Sequence, residues 1–272
     1  MLNFRATMLP EAFFSGKRLA HMAALKLFGS VMLIAGVSCN TDTIIGGNDK
    51  NNTVTDADGN VYQTVKIGNQ EWTTENLRTT KYNDGSPISN ITGKSTWDSC
   101  FYTLTEAYCF YNNTTNSDSI KKFGALYNWY AVNTGKLAPV GWHVPTDEEW
   151  DTLQNYLIAN GYNWDRTTTE NKIAKSMATK TDWKISSGGA EGAVGNDLTI
   201  NNRSGFSALP CGSRDFNNDF NGQDSIGYWW SGTNAGATCT WSRSLFFDYE
   251  DLVRPFSEKY SGFSVRLIRD QD

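Results

Sequence analysis

Histidine and charge are both scarce in this chain. Of its 272 residues two are histidines, and one of these, His21, lies in an N-terminal stretch with the look of a leader. Only His143 remains for the body of the protein, and no C-x-x-C accompanies it, which argues against a zinc centre of cysteine and histidine. Charged residues make up 19%, and no basic run follows residue 50, so the electrostatic footprint of a nucleic-acid binder is missing. A long acidic tract, the mark of a solvated tail, is missing too. No internal repeat is visible, which removes solenoids and propellers.

Aromatic residues are abundant instead. Ten Trp, twelve Tyr and fourteen Phe can bury a sizeable core, and nothing indicates a second one. With many Gly, Asn, Ser and Thr beside them, the composition suits an exported, loop-rich protein containing β-structure.

The apolar run Leu27–Val37 is too short to cross a bilayer, which takes about twenty residues. Lys17, Arg18 and Lys26 precede it, and Gly36-Val37-Ser38-Cys39 closes it. This is the layout of a bacterial lipoprotein signal, although Gly36 stands where such signals usually carry Leu. A start at Met22 would give a more compact basic segment. The reading makes 1–38 a signal peptide and Cys39 the acylated first residue of the mature chain. Several acyl chains anchor firmly where one binds only marginally. Residues 39–54, rich in Asn, Thr, Asp and Gly, read as a flexible tether. The domain is then 55–272, held at the cell surface on the outer membrane by its lipid.

Four cysteines remain: Cys100, Cys109, Cys211 and Cys239. An even number in an exported chain suggests two disulfides. Of the three possible pairings, Cys100–Cys109 with Cys211–Cys239 closes the shortest loops.

Val61, Gln63, Val65 and Ile67 alternate with Tyr62, Thr64 and Lys66, and Gly68-Asn69-Gln70 turns the chain back into Glu71–Thr74. A β-hairpin is expected there. Residues 112–119 read as an exposed polar loop, and Leu126, Trp129 and Tyr130 recur at helical spacing. Pro139–Pro145 is extended, and Thr146 then starts a helix with Glu149 three residues on, a capping box. Asp147, Glu148 and Glu149 suit the positive end of that helix dipole, which is a better account of them than an acid pair for catalysis. Trp150, Leu153 and Leu157 form its buried stripe and Asn160-Gly161 its end. A second short helix is expected near 168–179. Strands are expected at Phe206–Gly212, Ile226–Gly232, Cys239–Phe247 and Ser261–Arg269. The class is α+β.

Several ordered blocks resemble one family: Asp58-Gly59-Asn60-Val61-Tyr62, Trp72-Thr73-Thr74-Glu75-Asn76-Leu77, Gly124-Ala125-Leu126-Tyr127-Asn128-Trp129, Gly141-Trp142-His143-Val144-Pro145-Thr146 with Glu149-Trp150, and Gly262-Phe263-Ser264-Val265-Arg266. They are similar to the Fibrobacter succinogenes major paralogous domain of bacterial surface and secreted proteins, over about Thr55 to Asp270. That family looks like the C-type-lectin-like fold in the version shared with formylglycine-generating enzymes. The resemblance implies antiparallel sheets, two or more short helices and long loops. Many members carry a cysteine where Leu267 stands and lack one at Cys211, which favours a local Cys211–Cys239 pair here.

The resemblance names no established activity. An enzyme of the formylglycine-generating kind would need a reactive thiol, and paired exported cysteines are more often structural. His143 has no partner in its own segment and is expected to pack beside Trp142. A binding role for a glycan or a surface protein rests on Trp230, free to stack on a sugar, and on Asn217, Asn218, Asp219, Asn221 and Asp224 as polar ligands. Those oxygens are of the kind that holds calcium, but no complete set is legible. Asp56-x-Asp58-Gly59-Asn60 begins like a calcium loop and lacks its distal Glu, so it reads as a turn. The expectation is a non-enzymatic binding module with no catalytic residue, metal or other cofactor, and with a membrane but no nucleic acid among its partners. The alternatives are a divergent enzyme of the formylglycine-generating fold and a structural component of a surface assembly.

Overall fold

The computed structural model describes residues 52–215 and 217–271. The signal peptide, Cys39 and the tether up to residue 51 lie outside them. The chain enters through β1 (Thr53–Thr55), so the last two residues assigned to the tether belong to the domain: β1 pairs with β2 (Val61–Ile67), and Val54 is buried. The expected hairpin follows, with β2 antiparallel to β3 (Gln70–Thr73) across Gly68-Asn69.

β4 (Ser89–Asn90), α1 (Lys94–Thr103) and β5 (Ala107–Cys109) come next. After α2 (Ser117–Phe123) and β6 (Leu126–Tyr127), α3 (Trp129–Val132) leads to β7 (Trp142–His143). Then come α4 (Asp147–Ala159) and α5 (Ala174–Met177). β8 (Cys211–Arg214), β9 (Phe220–Gln223), β10 (Ile226–Asn234) and β11 (Cys239–Phe246) follow. β12 (Phe256–Glu258) and β13 (Ile268–Arg269) complete the order.

The class is α+β, with mostly antiparallel pairing. The first sheet runs β1-β2-β3-β13-β7, the second β12-β11-β10-β8-β9, and the small third β4-β5-β6. The last strand thus sits between the opening hairpin and β7, with Ile268 opposite both Trp72 and His143.

α4 forms as its sequence requires. Thr146 Oγ1 accepts from the Glu149 amide at 3.2 Å, and the Thr146 amide donates back to the Glu149 carboxylate at 2.8 Å. Trp150, Leu153 and Leu157 are buried, and Gly161 turns the chain away at φ +68°. The 124–132 segment departs from the expected helix. Leu126 and Tyr127 pair as β6 with β5, and only Trp129–Val132 is helical, capped by the Asn128 side chain. Strand pairing to Tyr108 and Cys109 overrides the local 3.6 period there. Likewise the polar 112–119 stretch contains the start of α2, capped by Asn116. α1 has no counterpart among the helices expected from sequence; its apolar residues are too few to make a readable stripe.

A further departure concerns Trp229 and Trp230. A strand with one solvent face would leave one of them free, but β10 is central and covered on both sides. Trp229 lies in one buried cluster with Trp72, Trp150 and Phe206, Trp230 in the other with Phe263 and Tyr127, and both have no exposure. Neither indole N–H is wasted: Trp229 donates to Asn76 at 2.9 Å and Trp230 to the Tyr127 carbonyl at 2.7 Å.

Between the sheets lies Asn76, whose amide donates to the Phe123 carbonyl (3.0 Å) and to Cys211 Sγ (2.7 Å). Gly124 permits this approach. A Cβ there would stand 2.7 Å from the Asn76 Cβ and 2.8 Å from the Leu77 carbonyl, and φ is +78°. Gly124→Ala is therefore expected to destabilise the domain by about 2 kcal/mol or more. Urea unfolding followed by tryptophan fluorescence reads this as a lowered midpoint with an unchanged slope; an unchanged midpoint would refute the close packing.

Candidate functional site

The polar residues proposed from sequence fall on the β8–β9 hairpin and its exit. Asp215 organises them: its carboxylate accepts from the Asn217 and Asp219 amides at 2.8 and 3.0 Å and from the Asn221 side chain at 2.6 Å. Asn218 is buried at φ +61° and reaches Asp98, while Asp219 pairs with Lys94 at 2.6 Å. Asp224, at the far end of β9, accepts from its neighbour Ser225. The loop's donors and acceptors are thus turned largely on one another. Trp230 is not beside them; it is a core residue, which corrects its assignment as a stacking platform.

The Cys211–Cys239 disulfide is also overturned. Cys211 flanks the start of β10, since Gly212 pairs with Gly227, whereas Cys239 flanks its end, next to the Thr240–Asn234 pair. At about 3.3 Å per residue the two are on the order of 20 Å apart, beyond the roughly 7 Å limit between Cα atoms for a disulfide. All four described cysteines are free thiols. Cys100 and Cys109 share one buried cluster with Trp97, but Cys100 donates to the Thr96 carbonyl in its own helix and Cys109 faces Arg214. Burial pushes the Cys109 thiol up to about 12 against the pull of Arg214, and Cys211 up to about 12 against that of Arg266. Such thiols are poor nucleophiles.

The titratable cluster that sequence reading missed is centred on His143. Its Nδ1 lies 2.6 Å from Asp270, and its Nε2 2.9 Å from both Glu149 oxygens. Ionised carboxylates only accept, so the two contacts favour the imidazolium form of the ring, in which both nitrogens carry protons. Hydrogen bonding to Glu149, helped by Asp270, outweighs partial burial and raises the His143 pKa. Burial alone would raise Glu149, but the bonds from His143 and Thr146 hold it below its ordinary value. The expectation that His143 has no partner in its own segment is corrected: Glu149, six residues on in the first turn of α4, is one, while Asp270 arrives from the far end of the chain, beside β13.

Two residues earlier in α4, Asp147 receives the buried Arg243 at 2.6 Å and Arg254, whose guanidinium lies 3.4 Å from the Trp241 ring centre. Burial opposes the charge on Asp147, but the two arginines prevail and lower its pKa. Arg243 also reaches Asp151 at 2.6 Å. Two of the three acids at this helix start, Asp147 and Glu149, are thus more than dipole partners. Asp147 clasps Arg243 on the distant strand β11, and Glu149 clasps His143 on the neighbouring β7.

A cleft of about 190 Å³ adjoins His143, walled by Val132, Leu137, Ala138 and Val144 with Asn133 and Thr146 at its polar edge. Further clefts surround the 111–123 segment. At the turn assigned to Asp56–Asn60, Asp56 accepts from the Asp58 and Asn60 amides at 2.9 Å and from the Tyr62 hydroxyl at 2.5 Å, which completes a side-chain-closed turn.

The raised His143 pKa contributes stability that is fully present below its unfolded value of 6.5 and is lost as pH rises through the folded value. The depressed Glu149 pKa contributes stability present above 4.5 and lost as pH falls through its folded value. The gap in melting temperature between the parent and His143→Asn is therefore expected to be widest between pH 4.5 and 6.5 and to narrow at higher pH. Thermal melts across pH 4–9 test this; a gap that grows towards alkaline pH would contradict the imidazolium.

The sequence blocks around Asn76, Gly124 and Arg266 that suggested a family meet in space: Asn76 packs against Gly124 and accepts from Arg266 at 2.7 Å. No curated protein and no solved structure matches the chain. The model of the Fibrobacter succinogenes major domain matches residues 65–269, which span nearly all of the folded region, and the chain belongs to that family.

Proposed function

We propose that this is a lipid-anchored protein of the outer cell surface whose one domain binds a ligand, a glycan or a surface protein, without transforming it. The carrying observation is that most groups fit for chemistry are consumed by structure, Cys239 being the one partly exposed thiol among the described residues. His143 has both nitrogens engaged by carboxylates, and Cys109 and Cys211 are buried with raised thiol pKa values. A general base must be able to accept a proton, and a nucleophilic thiol must ionise. The anchor at Cys39 and the signal peptide before it rest on the sequence pattern.

For the architecture we propose the C-type-lectin-like fold. In support, a Pro145-Thr146 segment with Glu149-Trp150 starts a helix and Val265-Arg266 leads into the closing strand, the segments that resemble formylglycine-generating enzymes, and Trp150 and Ile268 share one buried cluster. A catalytic reading based on those enzymes would need Cys211 accessible, and it is 1% exposed.

One experiment addresses anchor and chemistry together. The full chain is extracted from membranes, alkylated in its native state and analysed by peptide mass spectrometry. Acyl chains are expected on Cys39, with alkylation of the partly exposed Cys239 and none of Cys109 or Cys211 until the protein is denatured. Native alkylation of Cys211 would turn the argument towards an enzyme, and an unacylated Cys39 would remove the anchor.

A further inference from the structure

The strongest ligand site lies away from His143 and from the polar 215–221 turn of the β8–β9 hairpin, although one of its walls is Gln223 at the end of β9. Two clefts, of about 160 and 270 Å³, meet at Thr114, which lines both. The first is bounded by Tyr111, Asn112, Ser119, Phe123 and Gln223. The second runs past Phe110 and Asn113 to Thr92 and Asn90, with Thr115 and Ile120 on its other side. Together they reach the lower end of the size range of small-molecule sites, roughly 300–1,000 Å³.

Their chemistry is uniform in one respect: no ionisable acid or base of the Asp, Glu, Lys, Arg or His type lines either cleft. Their polar lining is mostly amide and hydroxyl, and their apolar walls include the rings of Phe110, Tyr111 and Phe123. Asn112, Thr115, Ser119 and Gln223 make no side-chain hydrogen bond to any described residue, so their donors and acceptors are available to a ligand. This contrasts with the 215–221 turn between β8 and β9, where Asp215 and Lys94 absorb the corresponding groups.

The segment is also held in a fixed shape. Asn112 and Asn113 both sit in the left-handed region at φ +51°, where Asn is better tolerated than most residues. Asn113 is tied to the Thr92 carbonyl at 3.2 Å, and Asn116 caps α2 immediately afterwards. Preorganised amides and hydroxyls beside ring edges recognise a ligand that offers many neutral hydroxyls and an apolar ring face. A charged ligand would find no counter-charge in these two clefts.

We infer that the paired clefts around Thr114 are a binding site for an uncharged polyhydroxylated ligand, a neutral oligosaccharide. This rests on the binding role proposed above and names its site and ligand class.

The full chain in detergent micelles is tested against cellohexaose, maltohexaose and mannohexaose, with hexagalacturonate as the acidic comparison. Amide hydrogen exchange on the parent protein then maps the footprint of whichever neutral probe binds. Slowed exchange over residues 110–123 is expected. Thr115→Trp, which fills the second cleft, should weaken binding tenfold or more, and Gln223→Ala about fivefold, the worth of one neutral hydrogen bond. Asn217→Ala in the hairpin should leave it unchanged. The footprint on the parent needs no variant to fold. Protection elsewhere, or affinity kept within twofold in both cleft variants, overturns the site and leaves the binding role standing. Binding of the acidic probe alone, or of none of the four, overturns the ligand class; the binding role itself falls only if native Cys211 proves reactive.

Discussion

A buried guanidinium without a carboxylate determines how the two large sheets meet. Arg266 has no exposed surface. Its charge is met by the carbonyls of Thr73, Phe206 and Ser207 at 2.7 to 3.0 Å and by the Asn76 side-chain oxygen at 2.7 Å. Burial lowers its pKa to about 10, still well above neutrality. A buried ion costs several kcal/mol unless its hydrogen bonds are satisfied, so each of these acceptors has to stay in place. Thr73 belongs to β3 of the first sheet. Through Asn76 the network passes to Trp229 on β10 and Cys211 on β8 of the second. Arg266, through Asn76, thus ties strands of both sheets together, and Gly124 is the residue that leaves room for Asn76.

Most of the aromatic wealth of the chain serves the same end. Trp97, Trp129, Trp183 and Trp230 each bury their rings and donate to a main-chain carbonyl, of Tyr260, Ser231, Ala208 and Tyr127 respectively. A tryptophan used in this way ties a loop to the core and offers no face to a ligand. In the proposed site the polar contacts fall to Asn112, Thr115, Ser119 and Gln223, whose side chains are unspent on their own loops.

What the sequence disclosed follows from this division. The α4 capping box, the opening hairpin and the central strands are legible because each is set by neighbours in the chain: Thr146 with Glu149, Gly68 at a turn, alternation along β2. β6 reads as helix in the sequence because its pairing with Tyr108 and Cys109, which outweighs a three-residue periodicity, leaves no local trace. Long-range partners are illegible. Nothing near His143 announces Asp270, nothing near Asp147 announces Arg243 or Arg254, and the cysteine spacing could not show that β10 separates Cys211 from Cys239 along its length. Trp230 suggests a ligand platform only while β10 is imagined with a solvent face. The 111–123 segment is legible as polar, but its clefts depend on Thr92 and Gln223, brought in from other elements.

The account stands most directly on the cooperation between Asn76 and Arg266. A double-mutant cycle with Asn76→Ala and Arg266→Met, measured by urea unfolding, isolates it. Because Asn76 and Arg266 share one network, the two changes should be far from additive, with a coupling of about 2 kcal/mol or more. Additivity within about 0.5 kcal/mol would mean that the two residues act independently, and the proposed junction between the sheets would be wrong.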